Sequence, residues 1–548
     1  MSSVREATLE VARQHGMTTW FGNPGTTEIP LLAGLPDDMR YVLALHETAA
    51  VGTAAGYAIA SGRPAMVSLH TTAGLGNAVS SLATARVNRA PLVVLVGQQD
   101  RRHLLAEPFL TGELAGLAGD YPLEVFQPPR PQDVPGCVAQ ATHTAAAGRG
   151  PVLVIVPMSD WDEQTDEPAV PAPLVSGRAS GVGSGDVTAI AALLGQAGAP
   201  VLVTGAGADS AGTWEALARL AEILDCPVFQ EPFAARAGFP QDHPRFAGFL
   251  PAGRAALRAA LAPYDTVVVV GAAMLRQYQY EPGPLFEPGT RTAVISEDIA
   301  EVRRSPVDVG LVAPLAAAVA ALAGAVTQAP GRTGRPAPGL PGRPAPARPG
   351  RPGPTGQADR LREQLAARAS GMTPETLFTE LAARADPDTV VVEESPSSRE
   401  ALQLLVPARR PLGFLSAAMG GLGFGIPAAI GIRMARPDRP VLGVIGDGSS
   451  IYCVQALWTA AHYGVGVVIF VMGNARYLVM DRQAARRGKI PWPSLEGVRV
   501  DRLAEALGVP SVRVSAVEHL VEVLNEVMPG LRERVQPLVV DVRLDAAQ

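Results

Sequence analysis

Val441-Leu442-Gly443-Val444-Ile445-Gly446-Asp447-Gly448-Ser449-Ser450 is an apolar run that stops on Gly-Asp-Gly-Ser. A helical segment is predicted behind it, Tyr452 to His462. A second apolar run, Val465 to Met472, stops on Gly473-Asn474. The pattern is strand, helix, strand, with a carboxylate at one strand end and a carboxamide at the next. In a parallel sheet those ends lie side by side, at the edge where such sheets bind ligands. Asp447 and Asn474 are hard oxygen donors. Gly446, Gly448 and Ser449 leave a helix start open to an anion, so the unit suits Mg2+ carrying a diphosphate. It is not a Walker loop, because Gly-Lys-Ser/Thr is missing. The plainer alternative is a tight turn with Asp447 as a helix cap; Asn474 at the following strand end favours the metal.

The same alternation of apolar strand-like runs and amphipathic runs extends over the whole chain. It predicts an α/β protein of parallel sheets flanked by helices. The 548 residues are enough for about three domains. The expected boundaries are 1–160 for the first domain, 185–325 for the second and 358–548 for the third. Strands are expected at Trp20-Phe21, Arg40 to Leu45, Ala65 to Leu69, Leu92 to Val96 and Val152 to Val156 in the first. In the second they are expected at Pro200 to Thr204, Pro227 to Phe229, Thr266 to Val270 and Thr292 to Ile295. The polar stretch Ser159 to Gly185 reads as a linker. Residues 329–357, rich in Pro, Gly and Arg with no acid, read as an extended tether.

Composition excludes several classes. The net charge of −6 is too mild to suggest a nucleic-acid partner. No apolar run reaches membrane-spanning length and the start is no signal peptide, so the expectation is a cytoplasmic enzyme with no membrane partner. Cys137, Cys226 and Cys453 are isolated, which indicates neither disulfides nor a thiolate zinc site. Lys489 is the only lysine and sits in Arg486-Arg487-Gly488-Lys489, a basic segment expected to be exposed. Mechanisms that need a buried, reactive lysine are therefore disfavoured.

Further motifs carry a resemblance. Phe21-Gly22-Asn23-Pro24-Gly25-Thr26, Leu43-Ala44-Leu45-His46-Glu47, Leu69-His70-Thr71-Thr72-Ala73-Gly74-Leu75-Gly76-Asn77 and Gly97-Gln98-Gln99-Asp100 stand in the first part. Gly420-Gly421-Leu422-Gly423-Phe424 and Ala456-Leu457-Trp458-Thr459-Ala460-Ala461 flank the opening stretch. With these the chain resembles the thiamine-diphosphate-dependent 2-oxo-acid decarboxylase and acetolactate synthase family, and within it the benzoylformate decarboxylases. The likeness covers nearly everything except the tether. It implies a pyrimidine-binding first domain, a middle domain, and a third domain that binds the diphosphate and Mg2+. It also implies a cofactor held between the first domain of one copy and the third of another. A homodimer is then the minimum unit and a homotetramer the usual one.

The resemblance implies roles for single residues. Glu47 would share a proton with the pyrimidine ring of thiamine diphosphate; alone it would read as a surface carboxylate at a strand–helix junction. Leu422 would be the apolar fulcrum that bends the cofactor, although a leucine is equally at home in a core. Asp447, the Asn474 side chain and the Arg476 carbonyl would hold Mg2+. Gly446, Gly448 and Ser449 would face the diphosphate. Thr26 stands where the family has a serine that contacts the substrate carboxylate; its plainer reading is a turn hydroxyl. His70 matches a proton-transfer histidine. Phe109, Leu110, Val479 and Met480 would line a pocket suited to an aryl or branched 2-oxo acid, or would be core.

Tyr278 departs from the family. In Arg276-Gln277-Tyr278-Gln279-Tyr280-Glu281 it occupies the position of a second histidine that helps protonate the enamine left after CO2 loss. A tyrosine is a weaker acid at neutral pH, so the expectation shifts towards carboligation with a second carbonyl acceptor. Simple decarboxylation stays open, with Tyr278, His70 or water as the donor. The turn Gly205-Ala206-Gly207 reads as structural, not as a flavin loop. A non-catalytic binding paralogue is argued against by the joint presence of Glu47, His70, Asp447 and Asn474. A nicotinamide enzyme is argued against by the missing Gly-x-Gly-x-x-Gly after the first strand.

Overall fold

The computed structural model describes residues 2–165, 181–183, 185–328 and 356–545. Most of the expected tether, and Asp166 to Ser180 of the expected first linker, lie outside the described residues. Ser159 to Thr165 are not linker. A tight turn, Met158–Asp162, is followed by Gln164–Thr165, which pairs antiparallel with Ser2–Ser3. Ser3 also caps the first helix, Val4–Gln14, through a capping box with Glu6.

Three six-stranded sheets form the frame, and every strand pair within them is parallel. Across the first sheet the strands run Arg40–Leu43, Thr19–Asn23, Ala65–His70, Leu92–Gln98, Pro151–Pro157 and Val125–Phe126. Numbered along the chain, this order is 2-1-3-4-6-5. The third sheet repeats it with Phe414–Ser416, Val390–Glu394, Val441–Gly446, Val468–Gly473, Leu538–Arg543 and Ser511–Val514. The middle sheet differs. Phe246–Phe249, Val228–Gln230, Pro200–Thr204, Thr266–Val270, Arg291–Ser296 and Val309–Val312 give the order 3-2-1-4-5-6.

The Val-rich central strands are buried on both faces, as strands covered by helices on either side must be. In the first and third sheets the chain reverses direction of winding between strands 1 and 3. The carboxyl ends of those strands flank a crevice, the usual ligand edge of an open parallel sheet.

The first and third domains share one apolar core. Phe21, Val42, Ala54 and Leu75 belong to the same cluster as Phe424, Ile430, Ile445 and Leu457. Its seam is the crossing of two helices, Glu47–Ser61 and Gly425–Ala435. Small residues allow the close approach. A Cβ on Gly431 would lie 1.9 Å from the Thr53 carbonyl oxygen, and one on Gly56 would lie 2.3 Å from the Ala428 oxygen. Among the described residues no helix is long and apolar enough to cross a membrane.

Two local expectations need correction. The helix foreseen from Tyr452 to His462 is broken. One turn, Asp447–Ser450, starts directly at the strand end, a tight turn Ile451–Cys453 follows, and the helix proper is Ala456–His462. Gly446, not Asp447, occupies the cap position, which frees the Asp447 carboxylate to bond elsewhere. The next strand starts at Val468, because Val465 and Val467 are spent on the turn leading into it. Gly205 and Gly207 lie against Gly271. A Cβ on either would come 2.8 Å from the Gly271 oxygen, so these glycines serve the close approach of two strand-end turns.

Candidate active site

Two groups of polar side chains collect at the strand ends, one in each of the outer domains. In the first domain Glu47 opens its helix and is 7% exposed. Both carboxylate oxygens are held by neutral amides. Asn23 Nδ2 donates to Oε1 at 3.0 Å, and Asn77 Nδ2 donates to Oε2 at 3.0 Å. The neighbouring His46 serves as the helix cap, its Nδ1 accepting the Thr48 amide at 3.1 Å. Among the described residues no cation pairs with Glu47, so two dipoles orient the carboxylate while no ion pair ties it up.

His70 ends the third strand of the same sheet. Its Nδ1 lies 2.9 Å from Thr27 Oγ and 3.2 Å from Glu28 Oε2. Thr27 commits its own hydroxyl proton to Glu28 Oε1 at 2.6 Å. Nδ1 therefore faces two acceptors and must carry the proton, which leaves Nε2 as the free nitrogen; the hydrogen-bond network, rather than a seen hydrogen, assigns this tautomer. Two glycines make room. A Cβ on Gly97 would fall 2.0 Å from Glu28 Oε1, and one on Gly25 would fall 2.2 Å from the His70 ring. Thr26 beside them is exposed, as are Phe109 and Leu110 on a following loop. Gln98 ties that loop down by donating to the Gly112 carbonyl at 2.7 Å.

In the third domain Asp447 is buried, and its two oxygens accept from the amides of Gly448 at 2.8 Å and Ala475 at 2.6 Å. Ala475 reaches Asp447 because its backbone is left-handed, φ 56°. That bend brings Asn474 alongside, and Asn474 Oδ1 accepts the Arg476 amide at 3.0 Å. Burial pushes the Asp447 carboxyl up, against the pull of the two amides and of Arg543. One carboxylate and one carboxamide are too few to enclose a cation by themselves. Among the described residues no three His, Cys, Asp or Glu side chains gather. The donor set fits Mg2+ that arrives with phosphate oxygens of its own. Gly446, Gly448 and Ser449 form the turn; Tyr477 packs where a Cβ on Gly448 would stand, 2.5 Å away, and Ser395 Oγ at the neighbouring strand end is buried without a hydrogen-bond partner.

Arg476 is exposed, with its guanidinium 3.7 Å from Asp481. Val479 and Met480 follow on the helix Leu478–Ala485; Val479 is half-buried, Met480 exposed, and neither belongs to a core. Leu422 is likewise half-buried, on an irregular loop outside the apolar clusters, which removes the core-packing alternative for it. Tyr278 is 67% exposed in the middle domain, its ring 6.5 Å from that of Phe233. Among the described residues no hydrogen bond joins the Glu47–His70 group to the Asp447–Asn474 group.

Three family models match the chain in order. Residues 2–117 match the thiamine pyrophosphate enzyme N-terminal TPP binding domain, 187–322 the central domain and 397–542 the C-terminal TPP binding domain. The benzoylformate decarboxylase of Pseudomonas aeruginosa is 36% identical over 99% of both chains. The chain belongs to the thiamine pyrophosphate enzyme family. The solved thiamine diphosphate-dependent 4-hydroxybenzoylformate decarboxylase of Rhodococcus jostii superimposes with a TM-score of 0.88 at 34% identity, covering 100% of each chain. The acetolactate synthase large subunit of Parasynechococcus marenigrum is 28% identical over 85% of this chain and 75% of its own length. Membership of this family makes the protein an enzyme that uses thiamine diphosphate, with Mg2+ as the accompanying metal.

Sequence reasoning singled out Glu47 and His70 but not the side chains that hold them. Asn23 and Asn77 stand inside the quoted motifs, while Thr27 and Glu28 stand just beyond one. Glu393-Glu394, closing the apolar run Val390–Val392, was also passed over. Two adjacent acids at the end of a buried strand are a signal that could have been read.

Proposed function

We propose that this protein decarboxylates an aryl or branched aliphatic 2-oxo acid. The observation that carries the reading is Glu47: a buried carboxylate held by two carboxamides and, among the described residues, paired with no cation is kept ready to share a proton with a ligand. Bound thiamine diphosphate supplies a nucleophilic carbon and an electron sink that lets CO2 leave the substrate. With the cofactor bound, Glu47 would share its proton with the pyrimidine ring and Leu422 would support the cofactor. Asp447, Asn474 and the Arg476 carbonyl would hold Mg2+, and Gly446, Gly448 and Ser449 would face the diphosphate. Thr26 offers its hydroxyl to the substrate carboxylate. His70, its Nδ1 proton fixed by Thr27 and Glu28, presents Nε2 to receive or return a proton.

The exposed apolar side chains Phe109, Leu110 and Met480, with the half-buried Val479, form the walls of the pocket. They favour an aryl group over the methyl of pyruvate. Their exposure in one chain supports a site closed by a second copy, with a homodimer as the smallest active unit and a homotetramer as the larger assembly.

Carboligation is the second reading, favoured by Tyr278 in place of a histidine. An exposed phenol is a poor proton donor near neutrality, so a second carbonyl compound can compete with the proton. The test is a set of 2-oxo acids, benzoylformate and pyruvate among them, incubated with thiamine diphosphate and Mg2+, with and without an aldehyde acceptor. CO2 and aldehyde from the aryl acids support decarboxylation; no consumption of any 2-oxo acid contradicts it. Tyr278→His should raise the ratio of aldehyde to ligated product, and an unchanged ratio removes the role given to Tyr278.

A further inference from the structure

Glu394 ends the first strand of the third sheet, next to the strand that ends at Gly446, just before Asp447. It is 3% exposed and, among the described residues, pairs with no cation; the adjacent Glu393 takes Arg399 instead, at 2.6 Å. Both Glu394 oxygens are occupied by backbone amides of a single loop. Oε1 accepts from Gly423 at 2.6 Å, and Oε2 accepts from Gly425. Burial raises this carboxyl to about 7 despite those donors, so the fold tolerates an unfavourable group at this place.

The loop it grips is unusual. Gly420 has φ 72° and Gly423 has φ 96°, both left-handed. A Cβ on Gly423 would also press on Tyr452 at 3.0 Å and Cys453 at 3.3 Å. Glycines have more backbone conformations open to them than other residues, so such a loop takes one shape only when outside contacts hold it, and Leu422 stands between the two glycines. Gly425, at the other end of the grip, opens the helix Gly425–Ala435 that crosses Glu47–Ser61. Glu394 thus ties a flexible glycine loop to a rigid strand end on one side and to the interdomain seam on the other.

We propose that Glu394 is a positioning residue for the cofactor: by holding the amides of Gly423 and Gly425 it sets the height and direction of Leu422, over which thiamine diphosphate bends. This rests on the reading of Leu422 as the cofactor's fulcrum. A small shift of Leu422 would displace the bound cofactor relative to the groups that act on it, and such misplacement costs rate steeply. Glu394 itself touches no reacting atom.

The test uses the full-length protein with Glu394→Gln, Leu422→Ala and the double variant; Glu394→Asp stands in should the Gln variant fail to fold. Amide hydrogen exchange of the cofactor-free protein is read over residues 419–426. Cofactor binding with Mg2+ and the rate of deuterium exchange at the cofactor's reactive carbon are then measured without substrate. Glu394→Gln replaces an acceptor by a donor that faces an N–H. The expected result is faster amide exchange at Gly423 and Gly425 and at least a tenfold slower exchange at the reactive carbon. Inorganic diphosphate should bind as in the wild type. The double variant should be no slower than the worse single variant, since both act through Leu422. Multiplied losses in the double variant, or unchanged amide exchange, overturn the proposal while leaving the cofactor reading intact. A wild-type protein that binds no thiamine diphosphate overturns the cofactor reading itself, and this proposal with it.

Discussion

A histidine at a strand end becomes useful only when one nitrogen is spoken for. Here Thr27 and Glu28 take Nδ1 of His70, and the 3.2 Å contact to a carboxylate that is 3% exposed fixes the ring. Glu28→Gln removes the charge and lets the amide present a donor to Nδ1, so the ring can rotate or change tautomer. The expected loss in kcat is roughly 10- to 100-fold, with KM changed little and partial recovery in Glu28→Asp. Unchanged kcat would show that Glu28 does not orient His70. His70 and Glu47 were legible in the sequence because each lies inside a run of matching neighbours. Glu28 was not, because its meaning depends on Gly97, a residue from another strand whose missing side chain leaves the carboxylate its place.

Among the elements, the helix Glu47–Ser61 decides where Glu47 sits, and its crossing with Gly425–Ala435 decides where Leu422 begins. Gly431→Ala would force a methyl to within 1.9 Å of a backbone oxygen on the facing helix, and neither backbone can step aside cheaply. The expected cost is about 2–3 kcal/mol, read as a lower midpoint in urea unfolding. Gly324→Ala, in the helix Leu315–Gln328, meets nothing within 4 Å and should be neutral or stabilising by up to about 1 kcal/mol. Equal effects of the two substitutions would contradict this account of the seam. Strands and helices were mostly legible from apolar periodicity. The short edge strands Val125–Phe126, Phe246–Phe249 and Val309–Val312 were not, since runs of two to four residues have no period to read. The single helical turn at Asp447–Ser450 was missed for a related reason: its start is set by the strand end, not by its own composition.

At the scale of the molecule, the outer domains are two copies of one winding, 2-1-3-4-6-5, each with its crevice between strands 1 and 3. One crevice carries Asn23 and His70, with Glu47 beyond the next strand; the other carries Glu394 and Asp447, with Asn474 beyond the next. The count of three α/β domains and the thiamine diphosphate cofactor could be read from the chain. The shared strand order could not, because sequence pattern says where strands are and not which neighbours they take. The proposed working site joins the Glu47 half of one copy to the Asp447 half of another. Its most direct test is a mixed dimer. Glu47→Gln and Asp447→Ala chains, each inactive alone, are co-expressed with different tags and purified through both tags, and CO2 release from benzoylformate is measured with thiamine diphosphate and Mg2+. A site shared between copies predicts one intact site of two in the mixed dimer, and so up to about half of the wild-type turnover. Turnover no higher than that of either parent variant would contradict it.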